Sequence, residues 1–342
     1  MSKNVKFTST IIFLLTVLVF CTSFVMPDEF SFGLWGDMPY TKNNDGAKDG
    51  EKMSRLLMSM NSSNLAFTIF DGDTKDGSSE CTDQAIGQEV STLFNSLHAP
   101  TVYVLGDNEW TDCHRINNGG YNNLERLNYL RQHLFSDNYS FGKTKMQLHR
   151  QGTVRQIYSE NVRWRYGRIF FVGLNIPGSN NNKVNEGNCV NPKSVRTQVE
   201  CDADNHEYLE RDKANINFLQ ATFQEAKQHN ALGLVLVIHA DPGFDLPETE
   251  SVNERAKANF DGYNAFLAAL VAETNAFSGQ VLLVHGDTHY FKVDKPLIDQ
   301  AHLLKNFTRI ETFGSPNLHW VKVTVNANNP NVFTFQPMLV QN

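Results

Sequence analysis

Apolar segments that are rich in β-branched and aromatic residues alternate along this chain with amphipathic stretches. The apolar segments lie at 30–35, 65–70, 101–105, 168–174, 232–238 and 280–285, and helical spacing occurs at 53–60, 86–97 and 208–228. Because strands that alternate with helices usually form parallel units, this order predicts an α/β fold. The end of the chain, over 307–337, alternates strand, turn and strand, which predicts antiparallel pairing at a sheet edge. Asp204 and Glu207 are interpreted as a variant capping box for the helix over 208–228.

The composition sets the size of the fold and argues against one class of partner. The chain has 342 residues, of which 41% are hydrophobic and 20% charged, so a sizeable core is available. We interpret 24–342 as a single domain. The formal net charge is -7, and no run of Lys or Arg follows the N-terminus. Binding of nucleic acid through a basic face is therefore not expected.

The N-terminus has the organisation of a secretory signal. Lys3 and Lys6 precede an apolar run over 11–20, and small residues follow up to Ser23. The apolar run is shorter than the roughly 20 residues that a membrane span requires. We therefore predict a signal peptide over 1–23, cleavage near Ser23, and a secreted or periplasmic mature protein without a permanent membrane span. A single membrane anchor is the alternative interpretation.

Four cysteines remain after the predicted cleavage, at positions 81, 113, 189 and 201. An even number of cysteines in an oxidising compartment is expected to form disulfides. Three pairings are possible, and we favour Cys81 with Cys113 and Cys189 with Cys201, because each pair lies in loops that are expected to be near one another. A zinc site built from all four is the alternative, but no CxxC spacing supports it.

The segment over 175–204 is rich in Asn and Gly and has no clear periodicity. Loops of this length in compact domains are usually functional or disordered. A disulfide between Cys189 and Cys201 would favour a functional loop. We interpret the segment as a cap loop at the mouth of a site.

Polar corners follow four of the apolar segments. They place Asp37, Asp73, Asp107 and Asp287 just beyond the ends of predicted strands. Since ligands of open α/β sheets bind outside the carboxyl ends of the strands, these carboxylates should converge at one edge. Without cations between them they would repel one another strongly. The sequence therefore predicts a pair of divalent or trivalent metal ions, with the candidate ligands Asp37, Asp73, Asn108, His239, Asp287 and His289.

The order of these motifs resembles that of the calcineurin-like metallophosphoesterases, within the purple-acid-phosphatase-like superfamily. That family has Gly-Asp, Gly-Asp-x-x-Asp, Gly-Asn-His-Glu or Asp, a lone His at a strand end, and Gly-His-x-His. This chain has, in the same order, GDMPY at 36–40, GDTKD at 72–76, GDNEW at 106–110, IHADP at 238–242 and HGDTH at 285–289. The resemblance spans nearly the whole predicted mature chain and indicates a divergent, secreted member.

The resemblance implies a fold, a set of ligands and a reaction. The fold would be two packed mixed β-sheets flanked by helices, in a four-layer sandwich. Asp37 and His289 would bind the first ion, and Asp73 would bridge both ions. Asn108 and His239 would bind the second, with Asp287 in the place of the first His of Gly-His-x-His. The reaction would be hydrolysis of a small-molecule or lipid phosphate ester by in-line attack of a metal-bridging hydroxide.

Three residues depart from the family pattern. Pro39 stands where many members have a metal-binding His, so Tyr40 or water would complete the first site. Glu109 stands in the place of the catalytic His, so either Glu109 or His114 would act as general acid. Asp287 replaces a His ligand, which gives an oxygen-rich site that favours Mn, Mg, Ca or Fe over Zn. The predicted catalytic residues are accordingly Asn108, Glu109 and His114.

Two other functions remain open. Asp71 and Asp73 resemble the Asp-x-Asp start of haloacid dehalogenase-like phosphatases, but Lys75 stands where that family has Thr or Val. Alternatively, the three departures are compatible with a catalytically weak or inactive protein of the same fold that binds metal or a ligand.

Several polar residues near the motifs have simpler interpretations. Asp76 and Asp107 are interpreted as turn caps, and His285 as a residue that makes a structural hydrogen bond. The charge and location of three basic residues make them candidate phosphate contacts: Lys75, Arg115 and Arg150.

Overall fold

The structure is a computed structural model, and it describes residues 1, 29–40, 46–185, 187–244, 254, 260–300 and 302–341. Apart from Met1, the predicted signal peptide lies outside the described residues, as does its cleavage position near Ser23. Within the described ranges, no helix combines the length and the apolar content that crossing a membrane requires.

Strands and helices alternate through the first part of the chain, and strands predominate towards its end. The strands are β1 (Glu29–Trp35), β2 (Thr68–Phe70), β3 (Thr101–Tyr103), β4 (His149–Arg150), β5 (Val162–Tyr166), β6 (Ile169–Gly173), β7 (Gly233–Val237), β8 (Gln280–His285), β9 (Lys292–Asp294), β10 (Ile298–Asp299), β11 (His302–Leu303), β12 (Phe307–Glu311), β13 (Trp320–Asn326) and β14 (Phe333–Met338). The helices are α1 (Gly46–Asn61), α2 (Glu89–Asn95), α3 (Asn123–His133), α4 (Gln198–Gln228) and α5 (Asn264–Asn275), with short helical turns at Gln84–Gln88, Ile116–Asn118, Gly178–Asn181 and Asp261–Tyr263.

Two mixed sheets carry the fold. In the five-stranded sheet the order is β14-β13-β1-β2-β3, with β1, β2 and β3 parallel and β13 antiparallel to both neighbours. In the seven-stranded sheet the order is β4-β5-β6-β7-β8-β12-β9. Its central strands β6, β7, β8 and β12 are parallel, and the outer strands are antiparallel. The parallel strands confirm the α/β fold that the alternating pattern predicts.

The two sheets pack face to face, and helices cover their outer faces. In the inner core, Phe32 of β1 meets Phe171 of β6 edge to face, with ring centroids 5.4 Å apart. On the outer face of the five-stranded sheet, Trp35 packs in a core with residues of α1, α2 and α3. On the outer face of the other sheet, Leu236 packs in a core with residues of α4 and α5. These layers confirm the expected architecture of two packed mixed sheets flanked by helices.

The long helix α4 begins well before the apolar periodicity that predicts it. Thr197 is its N-cap and forms a capping box with Glu200, so the interpretation of Asp204 and Glu207 as the cap is wrong. Both of those acids lie inside the helix and pair with arginines. The first turns bury a disulfide sulfur and ion pairs in place of aliphatic side chains, and hence show no apolar period. The segment predicted as a loop over 175–204 accordingly ends at Thr197.

The antiparallel pairing at a sheet edge that is predicted for the end of the chain holds for β13 and β14, whereas β12 is not an edge strand. β13 and β14 pair antiparallel at the edge of the five-stranded sheet. β12 lies inside the seven-stranded sheet, where it pairs parallel with β8 and antiparallel with β9. Its charged residues Arg309 and Glu311 are buried, so their polarity does not mark a solvent-facing edge strand.

Both predicted disulfides are present. Cys81 pairs with Cys113 and Cys189 with Cys201, with Cα atoms 5.8 and 5.9 Å apart. The first disulfide joins the loop after β2 to the loop after β3. The second ties the cap segment to the start of α4. Both therefore hold loops that follow the carboxyl ends of strands or lie close to them.

Candidate metal centre

Charged side chains from both sheets converge at the carboxyl ends of the strands. Asp37 and Asp73 follow β1 and β2 of one sheet, and His239 and Asp287 follow β7 and β8 of the other. His239 approaches both Asp73 and Asp287, so the two sheets contribute to one site. Asp37 and His239 are fully buried.

The backbone at these corners adopts conformations that few residues tolerate. The angle φ is 52° at Asp37, 60° at Asp73, 75° at Asp287 and 61° at His289. Non-glycine residues in this region cost about 1–3 kcal/mol each, and they concentrate at functional sites. Gly106 permits the closest approach, since a Cβ atom there would lie 2.1 Å from Oδ1 of Asp73. The fold therefore tolerates local strain that aims these side chains at one another.

A first cluster consists of Asp37, Asp73, His289 and Tyr40. Oδ1 of Asp37 lies 3.2 Å from Nε2 of His289. The hydroxyl of Tyr40 lies 3.1 Å from Oδ2 of Asp73, 3.4 Å from Oδ1 of Asp37 and 3.4 Å from Nε2 of His289. Tyr40 is therefore close enough to supply the ligand that Pro39, which has no donor atom in its side chain, does not.

A second cluster consists of Asp73, Asp107, His239 and Asp287. Nε2 of His239 lies 3.3 Å from Oδ1 of Asp73 and 3.3 Å from Oδ1 of Asp107. It lies 3.9 Å from Oδ1 of Asp287. Asp73 faces both clusters, with Oδ2 towards Tyr40 and Oδ1 towards His239. This is the geometry of a shared carboxylate between two neighbouring ion sites.

Both imidazoles have their Nδ1 atom in contact with a backbone carbonyl. Nδ1 of His239 lies 2.8 Å from the oxygen of Asp71, and Nδ1 of His289 lies 2.8 Å from the oxygen of Ser315. When Nδ1–H donates these bonds, Nε2 of the neutral ring presents a lone pair to the carboxylates. Nε2 of His239 is buried and has no hydrogen-bond partner in the described part of the chain. This contact between a lone pair and carboxylate oxygens becomes favourable if a cation lies between Nε2 and the carboxylates, or if Nε2 carries a proton.

The concentration of carboxylates in the site also favours the binding of cations. Burial and the Asp107 carboxylate raise the pKa of Asp73, although His239 opposes the shift. Burial and Asp107 raise the pKa of Asp287 to about 8. Burial lowers the pKa of His239, but Asp73 and Asp107 outweigh it and the net shift is upward. Two divalent cations would balance the four carboxylates at Asp37, Asp73, Asp107 and Asp287, and a set of carboxylates, imidazoles and a phenol fits such ions.

Asp107, and not Asn108, faces the second cluster. The amide nitrogen of Asn108 donates to Asp73 and to the backbone oxygen of Lys75, so its NH₂ group points at the bridging carboxylate. Aligning Gly106 with the Gly of Gly-Asn-His-Glu puts Asp107 in the place of Asn and Asn108 in the place of His. Asp107 is therefore a further candidate ligand beside the predicted Asn108, in addition to its interpretation as a turn cap.

Glu109 is buried and its carboxylate is fully engaged. It accepts hydrogen bonds from the backbone N–H of Thr74, from Oγ1 of Thr74 at 2.9 Å and from the N–H of Gly106 at 3.0 Å. These bonds tie the corner after β2 to the corner after β3. Glu109 therefore braces the two loops, and this geometry does not support the general-acid role expected for it.

His114 lines the same cavity as Asp287 and contacts the cap segment. Its Nδ1 is 2.8 Å from Oγ of Ser194. Burial and the nearby Arg196 and Arg115 lower the pKa of His114 to about 3. The ring is consequently neutral at neutral pH, which disfavours the predicted role as proton donor.

The structure separates the three candidate phosphate contacts. Nζ of Lys75 is buried and donates to the backbone oxygen of Asp76. Arg150 donates to backbone oxygens of Asp137 and Ser159 in another part of the fold. Arg115 alone of the three lines the cavity beside the second cluster. Asp76 accepts bonds from two serines that follow it, which confirms its interpretation as a turn cap.

A third acidic group, formed by Asp241, His285 and Glu311, lies close by. Nζ of Lys292 is 3.0 Å from Glu311 and 3.6 Å from Asp241. An ammonium therefore already provides the positive charge that this group needs. The buried position of His285 beside it agrees with a structural role.

A left-handed turn holds Asp107 from the other side. Ser179, Asn180, Asn181 and Asn182 all have positive φ, between 51° and 63°. Oγ of Ser179 lies 2.9 Å from Oδ2 of Asp107. The buried Arg211 anchors the turn by donating to the side chain and backbone oxygen of Asn181. Sequence reasoning missed this turn, although the run of Asn after Gly178 is the composition that left-handed backbone favours.

A cavity of about 800 Å³ opens beside the second cluster. Asp287, Asp112 and Ser179 line it, as do residues of the cap segment between Asn180 and Arg196. The predicted cap loop thus borders the cavity that leads to the candidate metal centre.

No family model matches this sequence, and no curated protein matches it. The fold does resemble solved structures, two of which are described below.

The first of these is the sulfate thiohydrolase SoxB of Thermus thermophilus in complex with glycerol, with 11% identity and a TM-score of 0.42, over 84% of this chain and 42% of that one. The second is a 5'-nucleotidase of Candida albicans, with 14% identity and a TM-score of 0.39, over 90% of this chain and 50% of that one. The chain thus spans half or less of the length of these proteins. Likenesses at this level concern the fold alone.

Proposed function

We propose that this protein is a binuclear metal-dependent phosphoesterase. The observation that carries the proposal is the pair of imidazoles, His239 and His289, whose Nε2 atoms face carboxylate oxygens at 3.2–3.3 Å while their Nδ1 atoms contact backbone carbonyls. Such an arrangement presents ligand lone pairs to a position for positive charge.

Two ions would be held by overlapping sets of side chains. Asp37, Tyr40 and His289 would hold the first, and Asp107, His239 and Asp287 the second. Asp73 would contribute to both. Because oxygen donors outnumber nitrogen donors, the site favours Mn, Mg, Ca or Fe over Zn. When bound, such ions would withdraw charge from phosphoryl oxygens and supply a nucleophilic water at neutral pH.

The chain's own polar groups would then orient the ester. Arg115 lines the cavity with its side chain 38% exposed, and it is held by Asp112 and Ser179, so its guanidinium is placed to contact a phosphoryl oxygen. The NH₂ group of Asn108 points at Asp73, where it would hold the bridging carboxylate in place. Glu109 fixes the spacing of the two corners.

Neither residue expected to protonate the leaving group is suited to it at neutral pH. Glu109 is saturated by donors, and His114 is neutral. We therefore expect a reaction whose rate depends strongly on the leaving group, with aryl esters hydrolysed faster than alkyl esters. The substrate class proposed is a small-molecule or lipid phosphate ester, met outside the cytoplasm if the predicted signal operates.

The test is a metal titration followed by an activity assay. Protein stripped with a chelator is titrated with Mn²⁺ and is expected to bind two ions, after which it hydrolyses an aryl phosphate. His239→Ala is expected to lose one ion and most activity, whereas His98→Ala, which removes an exposed imidazole elsewhere, should lose neither.

Two results would contradict the proposal. Two bound ions without turnover of any aryl mono- or diester would favour the catalytically inactive metal-binding alternative. Absence of stoichiometric binding would remove both functions.

A further inference from the structure

The cavity beside the second cluster is lined by side chains of both charges. Its acidic residues are Asp112, Asp241 and Asp287, the last of which belongs to the second cluster. Its four basic residues are Arg115, Lys183, Lys193 and Arg196, and the last three belong to the cap segment. This concentration stands out in a chain whose formal net charge is -7. We call the part of the lining formed by these four residues the basic end.

Backbone pairing brings three of the basic residues together. Arg115 forms an isolated antiparallel bridge with Ser194, and the N–H of Ile116 donates to the backbone oxygen of Lys193 at 2.9 Å. The N–H of Arg196 donates to Oγ of Ser194. The segment that contains Lys193 and Arg196 is thereby fixed alongside Arg115, which itself reaches Ser179 of the left-handed turn.

His114 reports the field that these residues create. Its ring lies between the two segments, with Nδ1 2.8 Å from Oγ of Ser194. Burial lowers its pKa first, and the charges of Arg196 and Arg115 lower it further. The positive charges of Arg196 and Arg115 therefore act on the space around this ring.

Acidic partners neutralise three of these four charges. Asp112 lies 2.5 Å from Arg115, Asp204 lies 3.0 Å from Arg196, and Lys183 pairs with Asp261. Nε of Arg196 is nevertheless buried without an acceptor among the described residues. Lys193 is exposed and makes no ion pair in the part of the chain that the structure describes. Lys193 therefore remains able to bind an anion, and Arg196 follows it on the same segment of chain.

We propose that the basic end of the cavity binds a second anionic group, carried by the leaving part of the ester. The proposal rests on the proposed function and narrows its substrate to phosphate esters with an additional carboxylate or phosphate. The first phosphoryl group would lie at the metal centre, and the second anion would lie near Lys193 and Arg196. Charge–charge attraction of this kind weakens as salt increases.

Matched pairs of esters test this directly. Aryl phosphates with a para carboxylate on a chain of zero to three methylenes are compared with the corresponding neutral carboxamides, which have nearly the same shape. A parallel pair, 1,4-phenylene bisphosphate and phenyl phosphate, tests a second phosphate. For the wild type we expect at least one anionic ester to have a KM about tenfold below that of its neutral partner, with the difference reduced by 0.5 M NaCl.

Lysine variants show which residue causes the KM difference between the anionic and the neutral esters. Lys193→Met is expected to remove most of the KM difference without changing KM for the neutral esters, and Lys193→Arg to retain it. Lys145→Met is the matched control, because it also removes one exposed positive charge but contacts Asn95 outside the cavity.

Three outcomes would overturn the inference. Hydrolysis of all esters without any preference for the anionic ones would contradict this inference but not the proposed function. Equal effects of Lys193→Met and Lys145→Met would show that only the overall charge matters. Hydrolysis of none of the esters by the metal-loaded protein would remove the proposed function together with this inference.

Discussion

Nε2 of His239 lies 3.3 Å from Oδ1 of Asp73, and the other oxygen of the same carboxylate lies 3.1 Å from the hydroxyl of Tyr40. One side chain from the five-stranded sheet therefore touches groups of two clusters, and one of these groups comes from the other sheet. The proposed function depends on this shared carboxylate, because it is what would make two ion sites into one reaction centre.

The first prediction separates Asp107 from Asn108. Asp107→Asn removes a charged oxygen ligand from the second cluster, so we expect the affinity for one of the two ions to fall at least tenfold. Asn108→Ala removes a donor to Asp73 but no charged ligand, and should change metal affinity less. Isothermal titration with Mn²⁺ measures both. A larger loss in Asn108→Ala would restore the original assignment of Asn108 as the ligand.

The second prediction concerns Ser179. Its hydroxyl holds Asp107 at 2.9 Å, and loss of a partner that orients a metal ligand typically lowers metal affinity about 10–100-fold. Ser179→Ala should therefore weaken binding of one ion and leave the other unchanged. Ser54→Ala, on the exposed side of α1, is the control. If both ions bind to Ser179→Ala as they do to the wild type, the left-handed turn has no part in the metal centre.

The third prediction tests the bracing role of Glu109. Glu109→Gln replaces one of the two carboxylate oxygens by an NH₂ group, which then faces either the two donors of Thr74 or the N–H of Gly106. We therefore expect the free energy of unfolding to fall by about 1–3 kcal/mol. Denaturant unfolding in the presence of chelator isolates this effect from metal binding. Unchanged stability with a selective loss of kcat would instead support the general-acid role.

The fourth prediction is a pH dependence of stability. The buried Arg309 pairs with both oxygens of Glu254, and together with other contacts it outweighs burial and lowers the pKa of Glu254 from 4.5 to about 2. A depressed carboxyl pKa stabilises the folded state above the unfolded pKa, and this contribution is lost as pH falls from about 4.5 to about 2.

Metal-free wild type should therefore lose up to about 3 kcal/mol of stability through this group across that range. Glu254→Gln should show a shallower dependence over the same range. Parallel curves of unfolding free energy against pH for the two proteins would show that the ion pair contributes nothing.

The fold could be predicted from sequence wherever burial follows secondary structure. The parallel strands that lead to the Asp37, Asp73 and Asp287 corners are mostly apolar and largely buried, so their positions were evident. The start of α4 was not, because its first turns bury Cys201 and the charged Asp204 and so lack an apolar period. β12 was misplaced for a similar reason, since its buried charges are balanced by partners distant in sequence.

The site was predictable in its types of residue and less so in its register. Asp37, Asp73, His239 and His289 come together as the motif order implies, but Asp107 replaces Asn108 beside His239. The sequence alone does not reveal which of the adjacent residues Asp107 and Asn108 faces His239. The backbone conformation of the corner after β3 sets the direction of each side chain, and no sequence pattern marks it. The role of Ser179 depends in the same way on a left-handed turn that no periodicity marks.

The most direct test of the central claim is the anomalous diffraction signal of Mn²⁺ in crystals of the metal-loaded protein. We expect two peaks, one on each side of the Asp73 carboxylate. One should lie near Asp37, Tyr40 and His289, and the other near Asp107, His239 and Asp287. We also expect that neither peak persists in Asp73→Ala. Wild-type crystals with no peak at this position, or with ions bound only at other sites, would contradict it.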